Sequence, residues 1–186
     1  MLFRSQGRAI YAGDLKMARM LHGKILRSPF AHARIVSIDT AAAIALPGVR
    51  AVVTGADVPV RPWGVSHKHQ HVLARGITRF VGEEVAAVAA DTVEIAEAAL
   101  DLIRIEYEEL PAILDPDLSL VDGAPEIHHG GNLCHEYNVV RGDVDAGFAA
   151  ADLIHEATYT THSQYPGYME PMATVAVTDA KGRLHV

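Results

Sequence analysis

Three observations predict an α+β fold for this chain of 186 residues. Residues 85–90 are an apolar run of strand length that leads into a helical repeat and then into an alternating one. Residues 33–54 carry the same order of strand, helix and strand on a shorter scale. Residues 115–143 are crowded with turn formers, after which short helix and strand signals begin again.

Taken in order, residues 33–38 read as a strand, and Asp39 and Thr40 offer a helix cap. Residues 41–46 supply about one and a half helical turns, and Pro47-Gly48 signals a turn before a strand over 49–54. Residues 59–78 show little periodicity and read as a loop. They contain Trp63 and the run His67-Lys68-His69-Gln70-His71. Histidines at spacing two share a face when extended, but no nearby carboxylate or cysteine completes a metal set, so a solvated loop is expected.

The next unit is the most informative. Asp91 with Glu94 three residues later resembles a capping box after the apolar strand. Val93, Ala96, Ala99, Leu100 and Ile103 then recur at three- and four-residue spacing, while Glu94, Glu97 and Asp101 take the other face. From Ile103 the period changes to two. Ile103, Ile105 and Tyr107 alternate with Arg104, Glu106 and Glu108 as in a half-buried strand, which Leu110-Pro111 stops.

Asp115-Pro116-Asp117, Asp122-Gly123-Ala124-Pro125 and Gly130-Gly131-Asn132 mark an extended connector. Its His128, His129 and His135 are expected to pack as polar residues along a surface-wrapping segment. Beyond it, residues 144–151 should form a short helix capped by Asp143, and residues 153–161 a strand of alternating polarity. Residues 173–178 read as another strand, Asp179-Ala180-Lys181-Gly182 as a hairpin turn, and residues 183–186 as the start of the returning strand. A hairpin cut off this early leaves an edge that can recruit another chain. The expectation is either a truncated piece of a larger subunit or one half of a split one.

A hydrophobic content of 49% supports a real core, and the net charge of −7 without a basic cluster argues against nucleic acid and anionic membrane surfaces as partners. One cysteine, Cys134, excludes an internal disulfide framework and cannot by itself hold an iron–sulfur cluster or structural zinc. Without a signal-like or transmembrane-length apolar stretch, a cytoplasmic protein is expected.

Several words of the chain, in order, resemble the amino-terminal part of the molybdenum-binding (large) subunit of the xanthine dehydrogenase and aldehyde oxidase family. They are Gly7-Arg8-Ala9-Ile10-Tyr11 with Asp14, Leu26-Arg27-Ser28-Pro29-Phe30-Ala31-His32, Val53-Thr54-Gly55-Ala56-Asp57-Val58-Pro59, Arg79-Phe80-Val81-Gly82-Glu83-Glu84, Gly142-Asp143-Val144 and Met169-Glu170-Pro171. The resemblance implies an α/β hammerhead domain over residues 5–118, an extended connector over 119–142, and the beginning of a molybdopterin-binding domain over 143–186.

It also implies a chemistry, the hydroxylation of an electron-poor carbon with water as oxygen source, at a molybdenum ion held by a pterin cofactor. Iron–sulfur clusters and FAD on partner domains or subunits would carry the electrons away. The implied partners are the remainder of the molybdenum-binding subunit, an iron–sulfur subunit and a flavin subunit. Neither a phenylalanine-glycine-rich cofactor loop nor a candidate catalytic glutamate of the family type is present, so the fragment alone is expected to hold no cofactor and to be inactive.

One position is carried over. Gln164, six residues before Glu170 in Gln164-Tyr165-Pro166-Gly167-Tyr168-Met169-Glu170-Pro171, looks like the family residue that hydrogen-bonds an oxygen ligand of molybdenum. An amide can donate there without adding charge or competing as a ligand. The alternative is a strand residue whose amide meets backbone or water. Glu170 reads as structural or as a paired surface carboxylate. Many members have a histidine where Tyr165 or Pro166 stands, which leaves the substrate side open. Two other classes of function remain, a non-catalytic assembly subunit of a split molybdenum enzyme and an isolated small-ligand binding module.

Overall fold

The computed structural model describes residues 6–64 and 68–186, so His67 of the alternating run lies outside the described residues. The chain forms two compact units, Arg19–Asn138 and the combination of Met1–Ala18 with Val139–Val186.

The first unit carries the core. Its strands are β1 (His22–Arg27), β2 (Ala33–Asp39), β3 (Val49–Thr54), β4 (Ile77–Thr78), β5 (Glu84–Ala90) and β6 (Arg104–Glu109); its helices are α1 (Ala41–Ala45) and α2 (Val93–Leu102). One antiparallel sheet has the order β1-β5-β3 and the other β4-β2-β6. The two strand-helix-strand units therefore do not close parallel pairs. Each sends its first strand into one sheet and its second into the other, with β2 and β6 pairing across the units.

The apolar run of β5 is explained by its central place. Val85, Ala86, Val88 and Ala90 are all buried, because β5 has β1 on one side, β3 on the other and α2 against the sheet. Ala86, Val88 and Ala90 meet Ala96, Ala99 and Ile103 of the helical segment and Ala43 of α1, with Leu26, Ile95, Leu100 and Ile105 around them. Alanines on both surfaces let helix and sheet backbones approach closely without leaving voids.

The helix start differs from expectation. Thr92, rather than Asp91, caps α2: its hydroxyl accepts from the Ile95 N–H at 3.3 Å. Asp91 has turned its carboxylate to Arg50, which leaves the cap to the next residue with a side-chain oxygen. At α1, the Asp39 carboxylate accepts from the Ala41 N–H at 2.9 Å.

The expected loop over residues 59–78 contains more order than its sequence suggests. Trp63 and Gln70 exchange two backbone hydrogen bonds, Leu73 and Ala74 are buried, and Ile77 and Thr78 form β4 against Arg34 and Ala33. Ser28 donates within the buried pair Ser28–Thr78 at 3.2 Å, and His32 Nδ1 lies 2.6 Å from the Pro111 carbonyl, to which it donates. These contacts give the residues around Pro29 a packing role.

The second unit holds α3 (Val144–Ala149), whose Asp143 side chain accepts from the Ala146 N–H at 2.9 Å as anticipated. The strand expected over residues 153–161 is not formed. Its apolar residues have no facing strand, and Leu153, Ile154 and Tyr159 are 85%, 58% and 83% exposed. The strand expected over 173–178 shrinks to β7 (Val177–Thr178), paired with β8 (Leu184–His185). Asp179 holds their turn through the Arg183 and Lys181 N–H groups, His185 and the Arg183 side chain, and these bonds lower its carboxyl to about 2. No described residue of this unit is buried.

Candidate functional site

Gln164 sits in the second unit, in a segment without regular secondary structure, and its side chain is exposed. Among the described residues it makes no side-chain hydrogen bond and belongs to no strand; its exposed amide faces water. Gly167 turns the chain with φ of 62°, a conformation open to glycine at no steric cost. The turn brings the Tyr165 and Tyr168 rings to 6.2 Å between centroids. Glu170 is exposed, and among the described residues no ion pair involves it, so the paired-carboxylate reading is not realised either.

A molybdenum–pterin group requires converging donors in an enclosed, water-poor site. Residues 152–174 are exposed without exception, and among the described residues no buried side-chain polar atom lacks a partner. One uncharged donor, Gln164, is present, but no cradle surrounds it. The residues of this chain do not by themselves fit the group.

A second concentration of polar chemistry lies in the first unit. Trp63, His69, His71, Arg79, Glu83 and His128 line a cavity of about 370 Å³. The His69 and His128 rings meet edge to face with centroids 4.6 Å apart. Arg79 Nε donates to the Ile127 carbonyl at 3.1 Å, and the Arg79 N–H donates to the Glu83 carboxylate. Burial pushes the Glu83 carboxyl up; burial, His69 and Arg79 together push His128 below its ordinary range. Among the described residues no three His, Cys, Asp or Glu side chains are placed to hold a metal. The meeting of His69 and His128 escaped the sequence reading because 59 positions separate them and only tertiary folding brings them together.

A second cavity, of about 480 Å³, opens between β2 and the loop after β3. Arg75 anchors that loop by donating to the carbonyls of Gly55 and Val58.

Comparison with known proteins matches residues 6–111 to the aldehyde oxidase and xanthine dehydrogenase a/b hammerhead domain. Residues 127–186 match the molybdopterin cofactor-binding domain. The chain is 36% identical over 191 residues to the xanthine dehydrogenase molybdenum-binding subunit of Escherichia coli O157:H7, covering 97% of this chain and 25% of that protein. It is 37% identical to the nicotinate dehydrogenase large molybdopterin subunit of Eubacterium barkeri, covering 100% of this chain and 44% of the other. Among solved structures, quinoline 2-oxidoreductase from Pseudomonas putida aligns with a TM-score of 0.68 at 43% identity, covering 81% of this chain and 20% of that one. The chain thus spans between a quarter and under half of these curated relatives.

Proposed function

The chain belongs to the aldehyde oxidase and xanthine dehydrogenase family, and from that premise we propose that it is the amino-terminal part of a molybdenum hydroxylase. It contributes a hammerhead domain over residues 5–118, a connector over 119–142 and the first segments of a cofactor-binding domain over 143–186. The two matched domains follow one another along the chain in support of this organisation.

The observation that carries the proposal is the state of the second unit. A stretch that matches a cofactor-binding domain has no buried residue, leaves Leu153, Tyr159 and Met172 more than four-fifths exposed, and holds its paired strands to two residues each. Such a surface is completed by further polypeptide. The remainder of a molybdenum-binding subunit is the proposed partner, with iron–sulfur and flavin subunits carrying electrons onward. The bound cofactor would supply hydroxylation of an electron-poor carbon, and the chain alone is inactive. Gln164 is the residue proposed to meet the cofactor, as an uncharged N–H donor toward an oxygen ligand of molybdenum. Among the described residues no helix is long and apolar enough to cross a membrane, in keeping with a proposed cytoplasmic place of action.

The test is cofactor content with and without a polypeptide carrying the rest of a molybdenum-binding subunit. Purified alone, the chain is expected to carry neither molybdenum nor pterin by elemental analysis and fluorescence of the oxidised pterin. Co-expressed with a polypeptide carrying the rest of a molybdenum-binding subunit, it should co-purify with both. Stoichiometric molybdenum on the chain alone would overturn the reading.

A further inference from the structure

The connector is fastened to the body of the first unit at a few points, and one of them is a histidine ring. Residues 126–132 form a self-contained turn: the Glu126 carboxylate accepts from the Gly130 and Gly131 N–H groups, and Asn132 accepts from the Ile127 N–H and donates to the carbonyls of Ser119 and Pro125. This turn is tied to the strap closed by Trp63 and Gln70, and to the bend before β5. The ties are the Arg79 bond to the Ile127 carbonyl and the edge-to-face contact of His128 with His69.

We propose that protonation of His128 releases residues 126–132 from the strap and the bend, so that the connector is a pH-sensitive latch closed by neutral histidine. A neutral ring packs on another ring without electrostatic cost. A charged one, partly buried between His69 and the Arg79 guanidinium, meets cationic and desolvated surroundings. On the strap, Lys68 and His71 flank His69 and add no anion. On the bend stand Glu83 and Glu84. The Glu84 carboxylate accepts from Arg27 at 2.6 Å, and the Glu83 carboxylate accepts the Arg79 N–H and lies near His71. On the connector itself Glu126 is committed to its own turn and His129 is exposed. Among the described residues none of these carboxylates is hydrogen-bonded to His128, whose charged neighbours are His69 and Arg79.

The sign follows from the depressed value. Unfolding or release returns His128 to the ordinary range near 6.5, so the open state binds the proton more tightly. The latch is fully closed above that pH and weakens as pH falls below it. Glu83 acts oppositely, since its raised value favours the closed state in acid.

Hydrogen exchange of the full chain, corrected for intrinsic rates, tests the latch at about pH 7.5 and about pH 5. Peptides covering residues 124–135 should lose protection several-fold at the lower pH, while those of α2 keep theirs. His128→Phe retains a ring but takes no proton, and should hold protection at both pH values. Glu83→Gln should leave the acid loss intact. Equal protection at both pH values, an unchanged loss in His128→Phe, or a loss abolished by Glu83→Gln would each overturn the proposal.

Discussion

Arg50 grips Asp91 with two parallel hydrogen bonds, Nε to Oδ1 at 2.8 Å and Nη2 to Oδ2 at 2.7 Å. The Asp91 N–H donates to the Gly48 carbonyl at 2.9 Å, so the residue that follows β5 is bound to both the turn before β3 and its second residue. The bond from Arg50 holds the Asp91 carboxyl below its ordinary value. A depressed acid adds stability above its unfolded value near 3.8 and loses it as pH falls through the lower folded one. Asp91→Asn should therefore lower the urea midpoint slightly at about pH 7, and the gap to the parent should narrow as pH falls below 3.8. A difference that persists undiminished in acid would assign the effect to packing.

Ile103 is 7% exposed at the junction of α2 and β6, within the cluster that contains Val88 and Ala99. Ile103→Ala should cost about 2–5 kcal/mol, read from denaturant unfolding. Ile103→Asp should abolish the cooperative transition, because the carboxylate would be buried without a partner. A parent-like melt for the aspartate variant would refute the burial of this position.

Gly55 stands against the backbone of Ala74. A Cβ there would lie 2.2 Å from the Ala74 carbonyl oxygen, and Ala74 is itself held by its N–H bond to Glu84 at 2.7 Å. Neither side can yield cheaply. Gly55→Ala should destabilise the chain by about 1–3 kcal/mol, whereas Gly23→Ala, with open space around it, should change the unfolding midpoint little. Equal behaviour of the two variants would contradict the close approach.

Gln164→Ala separates the proposed donor role from scaffold. Since the side chain is exposed and unbonded here, the isolated chain should melt as the parent does. In the assembled enzyme with normal molybdenum and iron loading, turnover should fall on the order of a hundredfold, the usual effect of removing one preorganised donor. Parent-like turnover would leave Gln164 without a part in the chemistry.

Local order was readable wherever neighbours in the chain decide it. The spacing of Ala96, Ala99 and Ile103 named the buried face of α2 because a helix repeats every 3.6 residues whatever it packs on. Pro47-Gly48 marked the turn before β3, where Gly48 takes φ of 92°. His22 to Arg27 carried no comparable signal, and β1 exists because β5 offers it a partner. Thr92 displaced Asp91 as the cap for a similar reason, an arginine 41 positions away.

By itself, the sequence determined the α+β class, the boundaries of both strand-helix-strand units and the family, since these rest on periodicity, turn chemistry and ordered words. Tertiary structure alone decided which strands share a sheet, that residues 153–161 remain unpaired, and that His69 meets His128. Pairing and burial depend on what lies opposite a residue in space, and the chain leading up to that residue does not state it.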